Sequence, residues 1–146
     1  MVKTVGNVEI YIEADKKAPG AIGRCVAYRL ETTKAGKTYQ AGDVIRSEGT
    51  YNQATLTAMY TAMRRIRQSC EITIHIDNTY IASMIDKYLL RWSMRDFMTG
   101  NGEEIKNRAE WKQFYEEFRK YRVTIQTGQH CRSALMRKEI EKWKQS

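Results

Sequence analysis

Two stretches of the chain alternate apolar and polar side chains with period two, and each runs into a carboxylate. In the first, Val8, Ile10 and Ile12 alternate with Glu9, Tyr11 and Glu13; in the second, Ile72, Ile74 and Ile76 leave His75 and Asp77 on the other face. A period of two is the signature of a strand with one covered face, so both stretches demand a layer of helices against their isoleucines. The remaining patterns supply those layers. The runs RCVAYRLETT and KTYQAGDVIR, separated by Lys34-Ala35-Gly36-Lys37, join the first strand in a three-stranded antiparallel meander. Leu56, Met59, Tyr60, Met63 and Ile66 recur at helical spacing over residues 52–69, with Arg64, Arg65 and Arg67 on the outer face. A second helix is predicted over 78–97, including Tyr88 and Trp92, then a loop TGNGEE, then a helix over about 107–120 that buries Trp111, Phe114, Tyr115 and Phe118. Val123, Ile125 and Thr127 form a last short strand. A helix over about 134–143 follows, with Leu135, Met136, Ile140 and Trp143 toward the core. The order βββαβααβα defines an α/β layered fold.

With 146 residues, 42% of them apolar, the chain suits one domain spanning 1–146. No apolar run approaches the ~20 residues of a membrane-spanning helix, so a membrane partner is not expected. The opening MVKTVGNVEI enters a strand-like alternation without the apolar core of a secretory signal, which points to a cytoplasmic address. Cys25, Cys70 and Cys131 lack the spacing of a disulfide framework or a zinc site and are read as ordinary buried thiols. The formal charge of +8 and a sequence pI of about 9.5 fit a polyanionic partner. Residues 119–146 hold eight Lys or Arg against Glu139 and Glu141. That tail either faces phosphates or forms the solvated face of a terminal helix.

Two strands of one small sheet that end in Glu13 and Asp77 would bring these carboxylates side by side if the strands are neighbours. Converging carboxylates, completed by phosphate oxygens, are how proteins hold hard divalent cations. The alternative is that each carboxylate merely caps an exposed strand end.

The order of these segments, and their residues, resembles the ribonuclease H family over about 130 residues. VEIYIEAD is similar to the family's first strand, which ends in Asp-Gly-Ser, and APGAIG to its Gly/Pro-rich turn. TYNQATLTAMYTAM resembles the first helix with its Asn-rich entry, and TIHIDNTYI the strand ending in Asp-Ser-x-Tyr-Val. YLLRW, TGNGEEIKN and AEWKQF are similar to the substrate-handle region and the Lys-Asn-x-x-x-Trp motif after it. The resemblance implies an RNase H-like fold, a five-stranded mixed sheet flanked by helices. It also implies hydrolysis of the RNA strand of RNA·DNA hybrids by two metal ions, Mg2+ or Mn2+, on four carboxylates.

Carried over residue by residue, the resemblance puts the third carboxylate at Asp77 and the first at Glu13, with Asp15 as substitute because strand parity sets it on the same side. The second, normally a glutamate, falls on Thr55, a neutral hydroxyl. The fourth falls on Glu139, with Glu141 second. His130 lies one residue from the family's mobile histidine, which assists product release; it also reads as an exposed loop histidine. For substrate, Thr50 and Asn107 match a pocket for a DNA-strand phosphate, with Arg46 near it, and Asn52 and Gln53 match residues that contact the hybrid's minor groove. Thr50 and Asn52 equally fit a helix N-cap and its neighbour. Tyr88 and Trp92 resemble the aromatic handle, although Trp92 also fits a core position. Because Thr55 removes one of four anions, any cleavage is expected to be low or shifted toward manganese. The competing expectation is a catalytically inactive RNase H-like module that binds nucleic acid. A monomer is expected in either case.

Overall fold

The computed structural model describes residues 6–146; residues 1–5, where the reading of the N-terminus begins, lie outside the described residues. Nine elements follow the predicted order: β1 (Gly6–Ala14), β2 (Arg24–Lys34), β3 (Lys37–Ser47), α1 (Tyr51–Met63), β4 (Cys70–Ile76), α2 (Thr79–Met94), α3 (Arg108–Phe118), β5 (Arg122–Thr127) and α4 (Ser133–Gln145). The five strands form one mixed sheet in the order β3-β2-β1-β4-β5. β1 pairs antiparallel with β2, and parallel with β4, which in turn pairs parallel with β5. The β2–β3 hairpin closes at Ala35 (φ 52°) and Gly36 (φ 77°). Two consecutive residues with positive φ match the right-handed twist of the flanking strands, and glycine meets that demand at the second position.

Strand parity assigns the layers. Ile10 and Ile12 of β1 and Ile72, Ile74 and Ile76 of β4 point to one face. There they pack with Leu56, Met59 and Met63 of α1, Ile81 and Leu89 of α2, and Trp111 and Phe114 of α3. Complete burial of side chains of this size contributes about 1.5–3 kcal/mol each, so this face carries most of the stability. The opposite face is thinner: Tyr11, Cys25 and Ala27 meet Met136 and Ile140 of α4. Tyr11, Glu13 and Asp15 share the parity of this face, so the first carboxylates project under α4 rather than into the main core.

Several expectations need correction. α1 ends at Met63, so Arg64 is its C-cap and Arg65 and Arg67 lie beyond it; no Gly or Pro marks this end in the sequence. Leu135 and Trp143 are exposed, and only Met136 and Ile140 of the four residues assigned to the core from α4 are buried. Cys131 is exposed, whereas Cys25 and Cys70 are buried. Nor is the basic tail simply solvated. Arg132 pairs with Glu31, Arg137 with Glu13, Lys144 with Asp15 and Arg122 with Glu71. Among the described residues no helix is long and apolar enough to cross a membrane.

Candidate functional site

β1 and β4 run parallel with Tyr11 opposite His75. Two residues further along that register, Glu13 and Asp77 emerge side by side at the carboxyl ends of adjacent strands, where open α/β sheets place their ligands. Their convergence is fixed by one group. The Lys17 ammonium donates to Asp77 Oδ2 at 2.7 Å and lies 3.3 Å from Glu13 Oε2. The Lys17 side chain is 27% exposed, that of Asp77 30% and that of Glu13 0%. From α4, Arg137 Nε donates to the same Glu13 Oε2 at 2.7 Å, and this bond, with the charge of Glu13, holds the guanidinium above its ordinary pKa. Glu13 Oε1 is buried without a hydrogen-bond partner. Tyr51 adjoins the pair: burial first, then the charges of Asp77 and Glu13, push its phenol well above the ordinary tyrosine range.

His130 sits 3.9 Å from Glu13 Oε1, but both its ring nitrogens are engaged. Nε2 donates to the Ile12 carbonyl at 2.8 Å, and Nδ1 accepts from the Arg132 N–H at 3.2 Å. A side chain 3% exposed and bonded at both ends is anchored, which departs from the mobile or exposed loop histidine expected from the sequence.

Thr55 is 1% exposed and fully used. Its hydroxyl donates to the Tyr51 carbonyl at 2.8 Å and accepts from Asn78 Nδ2 at 3.1 Å. Asn78, directly after Asp77, also donates to Asn52 Oδ1 at 2.9 Å and caps α2 by accepting from the Ile81 N–H at 3.1 Å. Thr50 and Gln53 form a reciprocal capping box on α1. Thr50 is thus the N-cap, the alternative its sequence left open. Gln53 Nε2 reaches Glu110 in the first turn of α3 at 3.4 Å, which draws the start of α3 toward the start of α1. Asn107, the left-handed N-cap of α3 at φ 63°, makes no side-chain cap bond. Arg46 is exposed and paired with Glu48. Trp92 stacks on Tyr88 at 5.6 Å and meets Trp111 edge-on at 5.2 Å, the core position rather than a free handle.

The other acidic residues do not join the pair. Asp15 faces Lys144 at 2.5 Å and accepts the Cys25 N–H at 2.9 Å. Burial raises its pKa, but the Lys144 and Cys25 bonds outweigh that and leave it below the usual aspartate value. Glu139 is directed at Arg29, 3.3 Å away, and Glu141 at Lys144. Among the described residues, no three His, Cys, Asp or Glu side chains converge as metal ligands. Lys17, Arg137, Tyr51 and Asn78 were missed from sequence. The i,i+4 spacing of Glu13 and Lys17 was the one available signal.

Two carboxylates face one another, but their two negative charges are already balanced by the two positive charges of Lys17 and Arg137. Unit charges ~4 Å apart interact with about 4 kcal/mol near a protein surface, and a divalent ion would repel each of these cations twice as strongly. Thr55 offers a hydroxyl already spent, and Glu139 points elsewhere. This arrangement does not fit a two-ion centre.

A family model described as RNase H matches residues 9–130, which stops short of α4. By sequence, the Ribonuclease H of Campylobacter curvus is 29% identical over 106 residues, covering 73% of this chain and 68% of that protein. The Ribonuclease H of Rickettsia canadensis is 25% identical over 126 residues, covering 84% and 77%. By structure, a type 1 RNase H with the type 2 active-site motif is similar with a TM-score of 0.72 at 16% identity, covering 90% of this chain and 66% of that one. The foamy viral protease-reverse transcriptase in complex with RNA/DNA hybrid is similar with a TM-score of 0.62 at 13% identity, covering 93% and 18%. At these identities the structural likeness shows a shared fold.

Proposed function

The chain belongs to the ribonuclease H family, whose members generally use divalent metal ions, and we propose that it binds RNA·DNA hybrids with little or no hydrolysis of the RNA strand. The observation that carries this reading is the Lys17 ammonium seated between Glu13 and Asp77. A cation of the chain itself stands where the family's chemistry calls for an ion, while the surface around it keeps polar groups suited to a duplex. The Asn107 amide makes no cap bond, and Asn52 spends its oxygen on Asn78 but keeps its N–H groups for a minor-groove 2′-hydroxyl. Thr50 and Gln53 position these groups through the α1 cap and its link to α3. The basic balance of +8 favours association with any polyanion, and the local donors favour one duplex geometry.

A second reading, weak hydrolysis dependent on magnesium or manganese, is favoured by Glu13 Oε1, a buried acceptor with no donor. A gel assay with a labelled hybrid separates the two. We expect a shifted complex with the RNA strand intact in either metal. Cleavage that Asp77→Asn abolishes would establish the second reading, and absence of any complex would defeat both.

A further inference from the structure

Lys17 and Arg137 stand together on one small carboxylate pair, and neither belongs to the residue set that the family resemblance supplied. Lys17 reaches Glu13 from four residues along the chain, out of the loop after β1, and Arg137 arrives from α4 on a separate element. Two independent parts of the chain therefore deliver positive charge to one point. The loop that carries Lys17 is itself tied down. The nearly fully buried Arg24 donates to the carbonyls of Lys16 and Gly20 within that loop and of Gly49 just before α1. An arginine 1% exposed whose hydrogen bonds among the described residues all go to backbone carbonyls, with its guanidinium over the Tyr51 ring at 6.0 Å, is a structural rivet. What it rivets is the approach of Lys17 to the carboxylates.

An ammonium has three protons on one nitrogen. Asp77 takes one of them in a hydrogen bond, Glu13 pairs with the ammonium at 3.3 Å, and the side chain is 27% exposed, which leaves the ammonium donor capacity beyond these two partners. We propose that Lys17, backed by Arg137, is a tethered counter-ion. It occupies the position of a divalent cation on the carboxylate pair and donates to a phosphodiester oxygen of the bound duplex, so that duplex binding needs no divalent ion. This inference rests on the nucleic-acid reading above for its ligand, but not for its claim about the cation.

Two measurements test it on the full chain. The first needs no nucleic acid: Mn2+ is titrated against the protein and free ion is followed by electron paramagnetic resonance. Wild type is expected to leave Mn2+ free, whereas Lys17→Met and Lys17→Met/Arg137→Met gain affinity by about tenfold or more. Wild type that binds Mn2+ as tightly as the variants overturns the proposal, as does a folded Lys17→Met that gains nothing. The single variant decides the matter if the double variant fails to fold. The second measurement is fluorescence anisotropy with a labelled hybrid. Wild-type Kd should change less than about twofold between chelator and magnesium, and Lys17→Met should weaken binding in chelator by about fivefold or more. Hybrid binding lost in chelator, or unaffected by Lys17→Met, overturns the phosphate contact. If wild type binds no hybrid at all, the function proposed above fails and the Mn2+ titration still decides whether Lys17 displaces the ion.

Discussion

Thr55 does with one hydroxyl what two neighbours require: it donates to the Tyr51 carbonyl and satisfies the buried amide of Asn78. Its place in the fold is therefore that of a joint between α1 and the turn after β4. Thr55→Glu would install the glutamate that the resemblance implies at this position, yet it removes both bonds and adds a buried negative charge. We expect it to lower stability by about 2–3 kcal/mol in urea unfolding. Without removal of Lys17 and Arg137, it should also give no gain in magnesium- or manganese-dependent cleavage of a hybrid. A gain would mean that those cations yield to the metal. Glu13 and Asp77 were legible because strand parity and the position of a carboxylate at a strand end are local properties of sequence. The cations were not. A turn-rich loop gives no sign of which side chain folds back, and Arg137 differs from Glu139 by only two helical positions, about 200° around the axis, so a small uncertainty in helix register decides the sign of the charge beside Glu13. Thr50 and Gln53 stand at the Thr-x-x-Gln spacing of the capping box they form, but that spacing does not say whether Thr50 also meets a phosphate or Gln53 a minor groove.

Element types were readable because hydrophobic period is a local signal, and the order βββαβααβα follows from it. Element ends were less so where tertiary contacts set them. The arginines after Met63 leave the helix because they have partners elsewhere: Arg64 lies over the Tyr60 ring at 4.6 Å and bonds Glu117 and Gln113, while Arg65 lies over Tyr28 at 5.9 Å. Tyr60 is a neighbour one helical turn back, but Glu117, Gln113 and Tyr28 are far along the chain and leave no local mark. β3 shows the same dependence in reverse. Gly42 interrupts a β-rich run as if it weakened the strand, but it sits opposite Arg29, and a Cβ built there would lie 2.5 Å from the Tyr28 carbonyl oxygen. The glycine is what allows β3 to lie flat against β2. Gly42→Ala has to push the two backbones apart, and we expect a loss of roughly 1–3 kcal/mol, seen as a lower urea midpoint with an unchanged slope. A neutral or stabilising result would show that β3 adapts at no cost.

At the scale of the whole molecule, the two faces of the sheet are held by different physics. The α1–α3 face is a broad apolar core, whereas α4 docks with two buried apolar side chains, Met136 and Ile140, and with charge pairs at each of its turns. Arg132, its N-cap, donates twice to Glu31 at 2.8 Å; Glu139 meets Arg29; and Lys144 meets Asp15. Of the eight basic residues in the tail, Arg132, Arg137 and Lys144 are thus engaged in holding its own helix to the sheet. The charge pairs also set a pH dependence. Arg132's hydrogen bond, reinforced by Arg29 against the opposing effect of burial, lowers the pKa of Glu31; at Asp15, Lys144 and the Cys25 N–H win over burial in the same direction. A carboxylate whose folded pKa is depressed contributes its full stability above its unfolded value and loses it as pH falls through the folded value, so α4 should loosen below pH ~4. Hydrogen exchange corrected for intrinsic rates is expected to show α4 protection falling by about tenfold relative to α1 between neutral pH and that range, since tenfold corresponds to about 1.4 kcal/mol of local opening. In Glu31→Gln/Asp15→Asn, α4 should be less protected at neutral pH and its further loss on acidification should be much smaller. Equal loss from α1 and α4 would mean that the apolar contacts of Met136 and Ile140, and not the charges, hold the helix that brings Arg137 to Glu13.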